Sequence, residues 1–91
     1  MLDVYYTSRF KKDYKKAKRQ GKNIGELQKI IVLLRQKEIL PEKYRDHQLT
    51  GEYRRFRECH ITPDWLLIYK IDDNKLVLSL SRLGSHSELF N

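Results

Sequence analysis

Three short apolar runs crowd the second half of this chain, and they constrain its fold more than any other feature. Tyr53, Phe56 and Cys59 mark the first, Trp65 to Tyr69 the second and Leu76 to Leu80 the third. Thr62-Pro63-Asp64 and Asp72-Asp73-Asn74 separate them with turn chemistry, so neighbouring runs are expected to join as a three-stranded antiparallel meander. Polar residues at the ends of such strands are then gathered by the turns rather than by sequence proximity.

The first half is written differently. Leu2, Val4 and Tyr6 alternate with Asp3, Tyr5 and Thr7, the period of a half-buried strand. Ser8 follows as a candidate helix cap, and Phe10, Tyr14 and Ala17 share one face of the helix it would start. Lys11, Lys12, Lys15, Lys16, Lys18 and Arg19 take the opposite face, and Gly21 suits a helix end. Asn23 with Glu26 three residues on resembles a capping box, opening a second helix striped with Leu27, Ile30, Ile31 and Leu34. That helix is expected to fade near Glu38, because Pro41 disfavours helical geometry just before it. Pro41 to Gly51 reads as an irregular connection, and the polar tail from Ser85 to Asn91 has room for one helical turn. The expected fold is α+β, in the order β-α-α-β-β-β, with two N-terminal helices packed on one face of an antiparallel sheet.

A chain of 91 residues is expected to make one domain over 1–91. Nineteen Lys and Arg against twelve Asp and Glu leave a formal charge of +7, which favours a polyanionic partner through counterion release. Charge alone does not separate a nuclease from a basic binding module. A lone cysteine, Cys59, cannot form an internal disulfide and fits a reducing compartment; in a strand it reads as a small apolar residue. The first ten residues lack a signal-peptide apolar stretch and no run approaches membrane-spanning length, so a cytoplasmic location is expected.

All three histidines, His47, His60 and His86, fall after the second helix. His47 precedes the first meander strand, His60 ends it, Asp64 and Trp65 follow its turn, Arg82 ends the last strand, and His86 lies in the tail. Neither HxxxH nor HExxH spacing occurs, so the set carries no zinc motif. It does suit metal-free RNA cleavage, in which a ribose 2′-hydroxyl attacks the adjacent phosphate. That reaction needs a proton acceptor, a proton donor and a cation. Histidine serves either proton role near neutral pH, arginine matches two phosphate oxygens, and an aromatic ring such as Trp65 or Phe90 can hold an unstacked base. Each residue taken singly is more often structural: a histidine on the surface, Trp65 in the core, Arg82 and the lysines as solvated charge.

Three blocks change that balance. Asp46-His47-Gln48-Leu49 with Gly51 just after, Arg57 through Tyr69 (RECHITPDWLLIY), and Arg82 through Phe90 (RLGSHSELF) resemble YafQ-type members of the RelE/ParE toxin superfamily. The resemblance runs over essentially the whole chain, with the blocks in order and a histidine in each. It implies a toxin of a type II toxin–antitoxin pair that cleaves mRNA in the ribosomal A site, with no cofactor. Positions matching His47, His60, Asp64 and His86 are associated with cleavage in that family, and those matching Arg82 and Phe90 with phosphate stabilisation and substrate placement. All six carry the family's residue. The implied partners are mRNA, ribosomal RNA and a cognate antitoxin, with no membrane.

On this reading His86 is the expected general acid, in a mobile tail, and Asp64 or His47 the base. His60 would orient or stabilise, and Arg82 would hold the phosphate. Lys11, Lys12 and Lys15 are expected to help dock the protein on RNA. Two alternatives stand beside it: a non-enzymatic RNA- or DNA-binding module, and a ParE-like toxin that poisons a topoisomerase without needing the histidines.

Overall fold

The structure is a computed structural model that describes residues 1–90. Its elements are β1 (Asp3–Tyr6), α1 (Ser8–Arg19), α2 (Ile24–Arg35), β2 (His47–Gln48), β3 (Arg57–Thr62), β4 (Trp65–Asp72), β5 (Val77–Gly84) and α3 (His86–Phe90). The expected α+β order is present, with β2 as a two-residue strand inside the Pro41–Gly51 connection. One five-stranded sheet runs β1-β5-β4-β3-β2. Strands β2 to β5 are antiparallel to their neighbours, whereas β1 lies parallel to β5 with Asp3 opposite Val77 and Tyr6 opposite Leu80.

Local chemistry explains the helix ends. The cap of α1 is Thr7 and not Ser8: the Thr7 hydroxyl accepts from the Phe10 N–H at 3.0 Å and donates to the Ser81 carbonyl at 2.8 Å. Gly21 follows α1 with φ of 72°, the left-handed end that glycine tolerates. Asn23 caps α2 as expected, its Oδ1 accepting from the Glu26 N–H at 3.1 Å. The helix stops at Arg35, short of Glu38, because a Schellman turn closes it. Lys37 N–H reaches the Leu34 carbonyl at 3.0 Å and Glu38 N–H the Leu33 carbonyl at 2.9 Å, with Lys37 at φ of 59°.

The core lies between the helices and one face of the sheet. Phe10, Ala17, Leu27, Ile30 and Leu34 meet Cys59, Ile61, Trp65, Leu67, Tyr69, Leu78 and Leu80. Alternation along each strand sends the intervening residues, among them Glu58, His60, Leu66, Ile68 and Ser79, to the other face. Tyr53 belongs to a short 3-10 turn before β3, not to the strand. Burial pushes the Cys59 thiol far above its ordinary range, so it stays protonated and packs as an apolar residue.

Two irregularities keep the alternation from running on. The pairing of β3 with β4 shifts between His60 and Thr62, and that of β4 with β5 shifts between Ile68 and Tyr69. In the second, Tyr69 faces Leu80 while Ile68 faces Arg82, which leaves Ser81 as an extra residue. Strict alternation would send Arg82 to the helix side with Leu78 and Leu80. The bulge moves it to the open face beside Ile68 and returns Leu83 to the core.

Candidate active site

The face of the sheet turned away from α1 and α2 carries the polar residues that the core does not use. Pairing places His47, Glu58, Ile68 and Arg82 in one row across β2, β3, β4 and β5. The next row is His60, Leu66 and Gly84. Between two polar walls lie Leu66, fully covered, and Ile68, which forms an apolar floor. His60 and Gly84 stand two strand spacings apart, about 10 Å.

His47 and His60 form one wall, with ring centroids 6.3 Å apart. His47 Nδ1 lies 2.8 Å from the Arg45 carbonyl and His60 Nδ1 3.3 Å from the Pro63 carbonyl. Between them sits Glu58, only 3% exposed, with Oε2 3.6 Å from His47 Nε2 and Oε1 3.5 Å from His60 Nε2. Those separations are too long for hydrogen bonds but short enough for ionic attraction. Arg57 at 3.0 Å and the Tyr69 hydroxyl hold Asp46 and so fix the backbone just ahead of His47. Burial, together with that carboxylate, pushes the Tyr69 hydroxyl above its ordinary range.

Arg82, His86 and Phe90 make the other wall. Asp13 of α1 accepts from Arg82 Nε at 2.9 Å, from Nη2 at 3.4 Å and from the Leu83 N–H at 2.9 Å. Two of the three guanidinium nitrogens are therefore engaged and the group is aimed. The Phe90 ring lies 5.1 Å from His86 and edge-on to Tyr53 at 5.9 Å. Arg9, Lys70, Arg82 and Phe90 line a cleft over Ile68 and Ser79.

The tail is a fixed helix and not a free strand of chain. Ser85 Oγ accepts from the Glu88 N–H at 3.2 Å while Glu88 Oε1 accepts from the Ser85 N–H at 2.8 Å, a reciprocal capping box. Lys16 of α1 binds the other Glu88 oxygen. The Lys16 hydrogen bond, with that of the Ser85 N–H, holds the Glu88 carboxyl down to about 2, below its ordinary 4.5. The tie between α3 and α1 is therefore complete above 4.5 and is lost as pH falls toward 2. Protection of the Leu89 amide, which donates to the Ser85 carbonyl at 3.0 Å, should weaken in that interval. Replacing Lys16 by methionine should start the loss at higher pH, as read by hydrogen exchange.

Of the residues singled out in the sequence, His47, His60, Arg82, His86 and Phe90 come to this one face. Asp64 sits exposed on the β3–β4 turn, next to Pro63. Trp65 does not join them: it is 2% exposed and packed in the core. Lys11 and Lys15 border a groove between α1 and α2 lined by Tyr6, Tyr14 and Ile31, and Lys12 is exposed on the same helix. None of the three lines the cleft. Sequence reasoning missed Glu58, Asp13, Arg9 and Lys70. Only Glu58 had a local signal, a charged residue two places from His60 and hence on its strand face.

Among the described residues no three His, Cys, Asp or Glu side chains come together in metal-holding geometry. No helix is long and apolar enough to cross a membrane.

Two helices thus stand behind a mixed five-stranded sheet whose open face carries histidines and an arginine. Residues 2–91 match the family described as bacterial toxin of type II toxin–antitoxin system, YafQ. The mRNA interferase toxin YafQ of Escherichia coli strain K12 is 37% identical over 89 residues, 97% of this chain and 95% of that protein. A metal-bound toxin from Helicobacter pylori superimposes with a TM-score of 0.94 at 43% identity, over 99% of this chain and 100% of the other. YafQ in the E. coli DinJ–YafQ complex gives 0.90 at 36% identity over the full length of both. The chain belongs to the YafQ family of type II toxin–antitoxin toxins.

Proposed function

We propose that this chain is a ribosome-dependent mRNA endoribonuclease, an mRNA interferase, held in check by a cognate antitoxin. The observation that carries the reading is the open face itself, where histidines and an aimed arginine flank an apolar floor inside a YafQ-family fold. An mRNA strand lies over Ile68 with its scissile phosphate between the two walls, and Phe90 stacks a neighbouring base. The 2′-hydroxyl gives its proton to Asp64 or His47 while its oxygen bonds to phosphorus. The bond from phosphorus to the 5′ oxygen breaks, and His86 supplies the proton that oxygen takes. Arg82 and His60 stabilise the charge that develops on the phosphoryl oxygens. The products are a 2′,3′-cyclic phosphate and a 5′-hydroxyl, and the proton count needs no cofactor.

Its setting is the cytoplasm, where translating ribosomes present mRNA in the A site and where Cys59 remains reduced. The related YafQ forms a complex with DinJ, which supports an antitoxin partner for this toxin. Mapping cuts on a defined mRNA, with and without ribosomes, tests the reading. Discrete cuts that require ribosomes are expected. Uncut mRNA, or growth arrest through a topoisomerase with mRNA left intact, would overturn it.

Ribosome docking is assigned to the exposed lysines of α1. Reversing Lys11, Lys12 and Lys15 to glutamate should weaken ribosome binding and reduce the slope of log affinity against log salt by about 0.7–0.9 for each phosphate left unneutralised. An unchanged slope in a sedimentation or filter-binding series would return those lysines to the role of solvated charge.

A further inference from the structure

We propose that Glu58 is a positioning residue of this site, the buried carboxylate that fixes His47 and His60 as doubly protonated rings facing the scissile phosphate and so removes both from the role of base. The inference rests on the nuclease reading and narrows it.

The contacts of four ring nitrogens lead to this assignment. Each Nδ1 faces a backbone carbonyl, that of Arg45 at 2.8 Å for His47 and that of Pro63 at 3.3 Å for His60. A carbonyl only accepts, so each Nδ1 must carry hydrogen. Each Nε2 faces a Glu58 oxygen, at 3.6 Å and 3.5 Å. A neutral ring with hydrogen on Nδ1 would present a bare lone pair to a carboxylate oxygen, which repels it. Rings with hydrogen on both nitrogens satisfy the two carbonyls and set positive charge opposite the carboxylate, which lies beyond hydrogen-bond reach.

Burial points the same way. Glu58 is 3% exposed and its Oε1 makes no hydrogen bond, which a carboxylate tolerates only beside compensating positive charge. Its partner on β4 is Ile68, an apolar residue. Among the described residues, the nitrogens within ion-pair distance of Glu58 are those of His47 and His60. The positive charge that the site requires is therefore built from these two rings.

With hydrogen already on both nitrogens of each ring, His47 and His60 offer charge to the phosphate and take no proton. The 2′-hydroxyl proton then passes to Asp64, exposed on the adjoining turn, and His86 remains the donor to the 5′ oxygen. Glu58 touches neither substrate nor reacting atoms and works only through the two rings.

The test has two arms, both on the full chain. Nitrogen-15 spectra of histidine-labelled protein at neutral pH read each ring nitrogen directly, with no RNA present. Both nitrogens of His47 and His60 are expected in the protonated range, and Glu58→Gln, which keeps shape and loses charge, should return Nε2 of at least one ring to the bare form. Bare Nε2 nitrogens in the wild type overturn the proposal whether or not the variant folds. A Glu58→Gln spectrum identical to wild type overturns it too. In the second arm, Glu58→Gln should lower kcat on translating ribosomes roughly 10- to 100-fold with KM little changed, and Glu58→Asp should recover part of the loss. Loss of the ring protons with kcat intact overturns the role in cleavage. A wild type that cuts no mRNA defeats the nuclease reading instead, and the spectra remain interpretable without it.

Discussion

Replacing His86 by glutamine should lower mRNA cleavage on translating ribosomes by on the order of a thousandfold while the protein stays folded, within the range that general acid catalysis contributes. His86 opens α3 with its ring exposed and 5.1 Å from Phe90. The Ser85–Glu88 capping box and the Lys16 tie fix the backbone that carries it. Glutamine keeps the size and a polar tip but has no proton to give at neutral pH, so the loss should fall on kcat. His86→Ala should match it, and because the ring is exposed neither change should move the unfolding midpoint by much. Single-turnover cleavage rates, paired with circular dichroism, decide the matter. A folded variant cutting near the wild-type rate would remove His86 from the acid role and leave His47 or His60 to fill it.

Trp65→Ala should have the largest effect on stability, a loss of about 3–5 kcal/mol. Trp65 is 2% exposed and meets the helices' apolar face together with Ile61 and Leu67. Removing the indole leaves a cavity that the close-packed surroundings fill only in part. Set against a usual total of about 5–15 kcal/mol for a domain, that is roughly a fifth or more of what holds the fold. Trp65→Phe should lose much less, since most of the apolar volume remains. Urea unfolding of the three proteins measures this directly. A stable Trp65→Ala protein that has lost only mRNA cleavage would restore the base-holding role and contradict the packing.

The helices were legible because their signals are local. Phe10, Tyr14 and Ala17 at helical spacing, Gly21 after the last turn, and the Asn23–Glu26 pair each act over four residues or fewer, and all appear where expected. The one-residue slip from Ser8 to Thr7 is of the same kind, since both can cap and only the Ser81 carbonyl across the sheet favours Thr7. The capping box of α3 was also written locally, in Ser85 and Glu88. It was obscured by the short span and polar character of the tail.

The site was legible as a set of residues and not as a geometry. The blocks around His47, His60 and His86 named most of its members, because residue chemistry and family pattern are properties of the string. Which face each side chain occupies is not. One inserted residue, Ser81, reverses every side chain beyond it, and no local feature distinguishes a bulged serine from a paired one. The burial of Trp65 was undecided for a related reason, since an aromatic residue beside a turn can be exposed or buried.

By itself the sequence determined the class of fold, the basic charge and the set of candidate site residues. All of these depend on composition, periodicity and turn chemistry within a few residues. Tertiary structure alone decided that β1 closes the sheet in parallel beside β5, that Asp13 aims Arg82 from 69 positions away, and that Glu58 lies buried between two histidines. Those facts depend on strand register and long-range pairing, where a shift of one residue exchanges core for surface.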